Sequence, residues 1–401
     1  IPQGDWSSDV CSSDLKDTYI SDSVLYVGVD DKTIDLFESQ YVVPNGVSYN
    51  SYVIMDDKIA IMDTVDPRKT TEWLANVEQA LAGRKPDYLV IHHMEPDHAG
   101  SIQQLAEKYP EMQFVSNPKL FNMMGQFFDF DFQSREVVVN EGDTLELGHH
   151  TLTFVMAPMV HWPEVMVSYE SAEKILFSAD GFGKFGALDT EEDWDCEARR
   201  YYINIVGKYG ANVMALLKKA ATLDIATICP LHGPILKEDL GHYIGKYLTW
   251  ASYEPEDEGV TIVYGSIHGH TAKAAKVMQK MLEDRGQKVE IFDLARDDMA
   301  EAIECAYRYD KLVIATVTYD AGVFPVVEDF VYHLKLKNYQ KRTVGIIQNG
   351  SWGPVAGKKV KESLETLKDI KIVDPMVTIR SALKEGNLTA MEALADALVA
   401  K

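Results

Sequence analysis

Cysteine is scarce in this chain. There are four, Cys11, Cys196, Cys229 and Cys305, and no two form a C-x-x-C pair. That excludes a disulfide framework and a thiolate-held cluster, and fits a reducing, cytoplasmic setting. Long apolar runs are missing too, so no segment is expected to span a bilayer. Residues 1–15, IPQGDWSSDVCSSDL, carry Asp and Ser where a signal peptide needs an apolar stretch. They read as a cloning or sequencing scar or a disordered tail, with native sequence expected from about Lys16. Basic residues are few: 39 Lys and Arg stand against 62 Asp and Glu, a formal net charge of −23. This argues against nucleic acid and anionic membrane as partners, and otherwise serves solubility.

What is present describes an ordinary globular protein. The 401 residues suffice for two or three domains, with 46% hydrophobic and 25% charged residues. From Val24 to about Thr153, short β-rich runs alternate with turn signals. Residues 51–65 read as a hairpin through Asp56-Asp57. Helices are expected near Thr70–Ala82, Ser101–Lys108 and Glu197–Ala221. Strands are expected at 113–116, 136–139, 150–156, 164–169, 175–179 and 225–229. Around 250–259 the sequence WASYEPEDEG is acidic, carries Pro255 and Gly259, and reads as a linker. Beyond it, apolar strands at 260–264, 289–292, 311–316, 343–347 and 370–373 alternate with helical stretches. Ala274, Met278, Met281 and Leu282 share one helix face, and Met391, Leu394 and Leu398 another. Such alternation implies a doubly wound parallel sheet.

The densest chemistry is H-x-E-x-D-H. His93, Glu95, Asp97 and His98 follow the apolar run Tyr88–Ile91 and precede a helix-like stretch. Burying that many charges unpaired is costly, and a di- or trivalent cation removes the cost. Three further polar residues follow buried strands: His161, Asp180 and His232. Four histidines and three carboxylates exceed the needs of one metal; two metals sharing Asp180 would use all seven. His92 is expected to point the opposite way from His93. His149 and His150 read as turn or strand residues, and His242 and His333 as helix surface.

A second constellation opens the distal half. YGSIHGHTAK (264–273) follows a strand and begins a helix. Ser266 and Thr271 offer hydroxyls, and Gly269 lets the backbone approach. The loop amides and helix N-terminus suit a phosphate dianion. Thr271 could equally cap the helix. His268 and His270 are candidate extra donors. The loop is neither a Walker A nor a G-x-G-x-x-G motif, so a mononucleotide is favoured over a dinucleotide. Two more glycine-bearing loops follow the third and fourth strands, where such sheets bind ligands. They carry Thr318, Tyr319, Asp320, Ala321 and Gly322, and Ser351, Trp352 and Gly353. Tyr319 and Trp352 are both candidates to stack on a planar ring of such a ligand.

The order of the first seven residues resembles the metallo-β-lactamase superfamily, whose hydrolases carry H-x-H-x-D-H. Here Glu95 stands in place of a histidine, which hardens the site from zinc towards iron or manganese. With S-x-x-G-x-T matching the flavodoxin phosphate loop, the chain from about Val24 onward resembles the flavodiiron proteins (A-type flavoproteins, rubredoxin:oxygen oxidoreductase-like). The resemblance implies an α/β chain, a metallo-β-lactamase-like αββα sandwich over 16–249 followed by a flavodoxin-like domain over 260–401. It implies FMN and a diiron centre. One iron would be held by His93, Glu95 and His161, the other by Asp97, His98 and His232, with Asp180 bridging. Some family members leave the position of His98 unligated. The implied activity is reduction of O2 to water, NO to nitrous oxide, or both. The implied donor is a separate rubredoxin or similar protein, since fused rubredoxin needs C-x-x-C pairs. A head-to-tail homodimer, or a dimer of dimers, is implied as well. Two rivals stay open: a zinc hydrolase with an appended flavodoxin, and an electron carrier with a degenerate first half.

Overall fold

The computed structural model describes residues 19–400, so the 1–15 tail and Cys11 lie outside the described residues. Two compact units emerge. One gathers residues 19–34, Pro44–Glu191 and Thr222–Glu238; the other gathers Asp35–Val43, Glu192–Ala221 and residues 239–400.

The first unit is built on two sheets. In one, the strand order is Val24–Tyr26, Tyr52–Ile54, Ala60–Met62, Tyr88–Val90, Gln113–Ser116 and Glu136–Val138. The expected hairpin forms, Tyr52 pairing with Met62 and Ile54 with Ala60. From Ala60–Met62 onward the strands run parallel, so their carboxyl ends share one edge. The second sheet runs Thr144–Glu146, Thr151–Met156, Met166–Glu170, Ile175–Phe177 and Thr227–Cys229. Tyr52, Ile54, Met62 and Val90 of the first sheet meet Leu152, Phe154, Met166 and Phe177 of the second in one buried core. Burial of each such side chain contributes about 1.5–3 kcal/mol. Helices Thr70–Leu81, Ile102–Lys108 and Pro118–Phe127 complete this unit's α/β layering.

The second unit is a parallel sheet in the order Val289–Asp293, Asp257–Tyr264, Tyr309–Tyr319, Arg342–Asn349 and Ile370–Ile372. Numbered along the chain, that is the 2-1-3-4-5 order of flavodoxin-like folds. Val313, Ile314 and Ala315 are all fully buried, as expected for a strand covered on both faces. Ala274, Met278 and Leu282 from helix His270–Glu283 pack against the same core as Met391, Leu394 and Leu398 from helix Glu385–Val399. Met281 is half-buried at its margin.

Two features differ from the sequence reading. The helix expected over 197–221 is broken: Trp194–Tyr201 passes into a π turn at Tyr202–Val206, and Gly210–Ala220 follows. The wider turn frees the Asn204 carbonyl, which accepts hydrogen bonds from Tyr41 Oη at 3.2 Å and Lys337 Nζ at 2.5 Å. These helices also group with the second unit. Arg199 is buried in it, paired with Glu256 at 2.9 Å and with Glu304. Likewise, helix Leu240–Ala251 and strand Asp257–Tyr264 occupy much of the expected 250–259 linker. Among the described residues, no helix is long and apolar enough to cross a membrane.

Candidate metal and flavin sites

The H-x-E-x-D-H residues are placed by a tight turn at the end of strand Tyr88–Val90. Pro96 occupies the first position of the short helix Pro96–Ala99, where a missing N–H costs nothing, and Glu95 precedes it in extended conformation. Gly100 closes the turn so near Pro67 that a Cβ would lie 2.4 Å from its ring. Asp63 and Thr64 hold both ends of the loop. Asp63 accepts the His92 N–H at 2.7 Å and pairs with His92 Nδ1 at 2.5 Å. Thr64 donates to the His98 carbonyl through N at 2.9 Å and Oγ1 at 2.7 Å. His92 thus turns away from His93; its Nε2 meets Ser168 at 2.8 Å.

The fold brings all seven predicted residues together, in two groups with convergent donor atoms: His93, Glu95, His161 and Asp180, and Asp97, His98 and His232. Glu95 Oε2 lies 3.2 Å from His93 Nε2 and 2.9 Å from His161 Nε2. Asp97 Oδ2 lies 3.2 Å from Nε2 of both His98 and His232, which are 3.0 Å from each other. Asp180 divides between the groups. Its Oδ2 faces His93 and His161 at 3.3 and 3.4 Å; its Oδ1 faces His98 and His232 at 3.3 and 3.9 Å. Donors spaced in this way suit a shared cation at first-row bond lengths of roughly 2.0–2.2 Å. Both oxygens of Asp97 and of Asp180 are buried without a hydrogen bond among the described residues. Unsatisfied carboxylates of this kind are costly unless a cation meets them. The donor set therefore fits two metals.

Supporting contacts fix the rings. Glu164, fully buried, pairs with His93 Nδ1 at 2.8 Å and accepts the Met94 N–H at 3.0 Å. The Ser48 carbonyl takes His232 Nδ1 at 2.7 Å. Each contact turns Nε2 of the same ring towards the carboxylates. His98 Nδ1 has no such partner among the described residues, so its ring is the least supported. Glu164, Asp63 and Ser48 went unrecognised in the sequence. The only signal was Glu164 lying three residues beyond His161.

Burial opposes charge on these imidazoles, yet the carboxylates prevail. Asp180, Glu164 and Glu95 hold His93 well above its ordinary range, and Asp180 and Glu95 push His161 up to about 9. Asp180, despite burial, is held well below the usual carboxylate range by His93, His161 and His98. The carboxylates are thus ionised while these rings carry protons at neutral pH. A metal must displace those protons. Iron loading at pH 7 in weak buffer should acidify the solution, and apparent affinity should rise as pH climbs towards 9. Titration with a pH-indicator dye measures this; affinity independent of pH would contradict it.

The second unit carries a cavity of about 950 Å3 at the carboxyl ends of its strands. Ser266, His268, His270, Thr271, Thr318, Asp320, Ala321, Ser351, Trp352 and Gly353 line it, joined by Asn349, Gly350 and Ser381. Gly269, Tyr319 and Gly322 lie outside that lining. Gly269 has a left-handed φ of +83° and precedes the helix at the N-cap position. Thr271 is therefore not the cap; it is buried inside the first turn, 3.3 Å from Asn349 Nδ2. Ser266 Oγ accepts the Gly269 N–H at 3.1 Å and closes the loop. Tyr319 packs edge-on against Phe324, whereas Trp352 is 85% exposed, leaving its face available to a planar ligand. First-turn amides, hydroxyls and two imidazoles suit a phosphate, and the volume suits a mononucleotide.

Comparison with known proteins agrees. Residues 47–233 match the family described as ODP family beta lactamase, and residues 262–393 match Flavodoxin. A nitric oxide reductase of Moorella thermoacetica is 30% identical, covering 90% of this chain and 92% of its own length. The structure of rubredoxin oxygen:oxidoreductase from Desulfovibrio gigas superposes with a TM-score of 0.88 at 26% identity, covering 95% of this chain and 97% of that one. The flavodiiron protein of Giardia intestinalis shares the fold, with a TM-score of 0.87 at 24% identity over 94% and 95% of the two chains. The chain belongs to the flavodiiron protein family.

Proposed function

We propose that this chain reduces dioxygen to water, nitric oxide to nitrous oxide, or both, using electrons from a rubredoxin-type donor. It is an oxidoreductase whose cofactors are FMN and two irons. The observation that carries the site assignment is Asp180, whose two oxygens face different histidine groups. His93, Glu95 and His161 would hold one iron, Asp97, His98 and His232 the other, and Asp180 would bridge them. Ser266, His268, His270 and Thr271 would hold the FMN phosphate, and Trp352 would cover the ring.

Bound FMN supplies transfer of electrons one at a time, and the iron pair supplies the reducing centre for a diatomic gas. The protein's own part is positioning. Asp63 and Thr64 keep the ligand loop rigid, and Glu164 and the Ser48 carbonyl aim two imidazoles. Carboxylate-rich ligation by Glu95, Asp97 and Asp180 favours hard cations over zinc. Trp162 stands edge-on to His93 and screens that side of the group. The Glu95, Asp97 and His161 side chains retain 14%, 10% and 7% exposure, which marks the open side of the cluster.

Cys196, Cys229 and Cys305 are free thiols, which supports a cytoplasmic setting. A head-to-tail homodimer, possible with one two-fold interface, would form two composite sites at once; a monomer in sedimentation equilibrium would contradict it. Stopped-flow mixing of reduced, iron-loaded protein with each gas tests the activity. Flavin reoxidation within a turnover by O2, NO or both is expected. Reoxidation unaffected by removal of iron would contradict it.

A further inference from the structure

Each histidine group has an aromatic side chain on its imidazoles. Trp162 is perpendicular to His93, with ring centroids 5.1 Å apart and an interplanar angle of 89°, and lies 6.2 Å from His161. Tyr49 stands edge-on to His232 at 6.0 Å. Reduction of dioxygen to water takes four electrons. Two ferrous irons give one each and a reduced flavin gives two. If the donor falls short, an oxidising centre draws on the nearest oxidisable side chain.

The two aromatics are unequal in this respect. The Tyr49 oxygen accepts a hydrogen bond from Arg68 Nη2 at 2.9 Å. Arg68 is itself fixed by Asp66, through Nε at 2.8 Å and Nη2 at 3.0 Å. The guanidinium occupies the phenol oxygen as a donor, and among the described residues the Tyr49 O–H meets no acceptor, so no base takes its proton as an electron leaves. Tyr49 is also fully buried, so a proton leaving it has no direct path to water. Trp162 is half-buried, and its ring meets two of the imidazoles rather than one.

We propose that Trp162 is the reserve electron donor of this centre, and that Arg68 withholds Tyr49 from the same role. The inference rests on the ligand assignment above. When electrons are short, the Trp162 indole gives two electrons, one ring C–H becomes C–OH with oxygen from water, and two protons leave. With two electrons from the irons, the balance closes: dioxygen, two ferrous ions, two protons and one tryptophan give one water, two ferric ions and one hydroxytryptophan.

The test uses the full chain carrying iron and FMN. Metal content is read first. Samples given two or four electrons per chain are then mixed with air-saturated buffer made with isotope-labelled water. At two electrons, rapid-freeze EPR should show an indole radical, and peptide mass should show one labelled oxygen on Trp162. At four electrons both signals should fall to background. Trp162→Phe should lose both while keeping its iron, and Arg68→Met should shift oxidation towards Tyr49. Release of hydrogen peroxide with Trp162 unchanged, or oxidation at Met94 instead, would overturn the proposal. A chain that holds no iron before dioxygen is admitted would overturn the ligand assignment, and this inference with it.

Discussion

Replacing Asp180 by alanine should abolish reduction of both gases while leaving FMN bound and reducible. Asp180 is the residue both histidine groups share, with four imidazole nitrogens within 3.3–3.9 Å of its oxygens. Without it, each iron loses a ligand and the pair loses its bridge. Four imidazoles then face one another with only Glu95, Asp97 and, behind His93, Glu164 to offset their charge. His93, held protonated chiefly by Asp180 against burial, should shift towards neutrality. Iron content by plasma emission should fall well below two per chain, and Asp180→Asn should not restore it, because an amide is a weaker, neutral ligand. The flavin cavity lies wholly in the other unit, so flavin content and reduction by dithionite should be unchanged. Retained gas reduction in Asp180→Ala would favour a simple electron carrier.

The second large effect is on stability. Asp63→Ala removes the acceptor for the His92 N–H and the partner of its Nδ1, both fully buried. Each orphaned polar group costs about 1–3 kcal/mol. Asp63 also sits at φ +56°, a left-handed conformation that Asp tolerates better than alanine. Together these predict a loss of roughly 3–6 kcal/mol, a large share of a typical domain's stability. Asp63→Asn keeps an acceptor and tolerates the backbone, so it should lose less. Urea unfolding of the two variants compares them; an Asp63→Ala midpoint close to the unaltered protein would show that the loop does not depend on this clasp.

How much of this was legible in the sequence follows from separation along the chain. His93, Glu95, Asp97 and His98 announce themselves because they share one turn. His161, Asp180 and His232 were legible because each follows a buried strand, and strand ends are readable from apolar runs. Glu164, Asp63 and Ser48 were not. Their partners are 71, 29 and 184 residues away, and a lone buried acid or a backbone carbonyl leaves no local pattern. The flavin loops were readable from glycine and hydroxyl spacing. Asn349 and Ser381 were not, since they reach the cavity from strand-end positions with no motif of their own. The strands expected in both units lie within three residues of their expected bounds, whereas Thr144–Glu146 and Val377–Ile379 were not among them. The break at Tyr202–Val206 was masked by the good helix formers on either side, although Tyr, Ile, Asn and Val are weak formers and Gly207 follows them. The donors that draw on the Asn204 carbonyl lie 163 and 133 residues distant.

The central claim is a carboxylate-ligated iron pair in one unit, supplied by a flavin mononucleotide in the other. Metal and flavin analysis of protein purified without oxygen tests it most directly. Two irons and one FMN per chain are predicted, with the iron lost in Asp180→Ala and the flavin kept. Protein that holds zinc in the seven-residue cluster and no flavin would contradict the account.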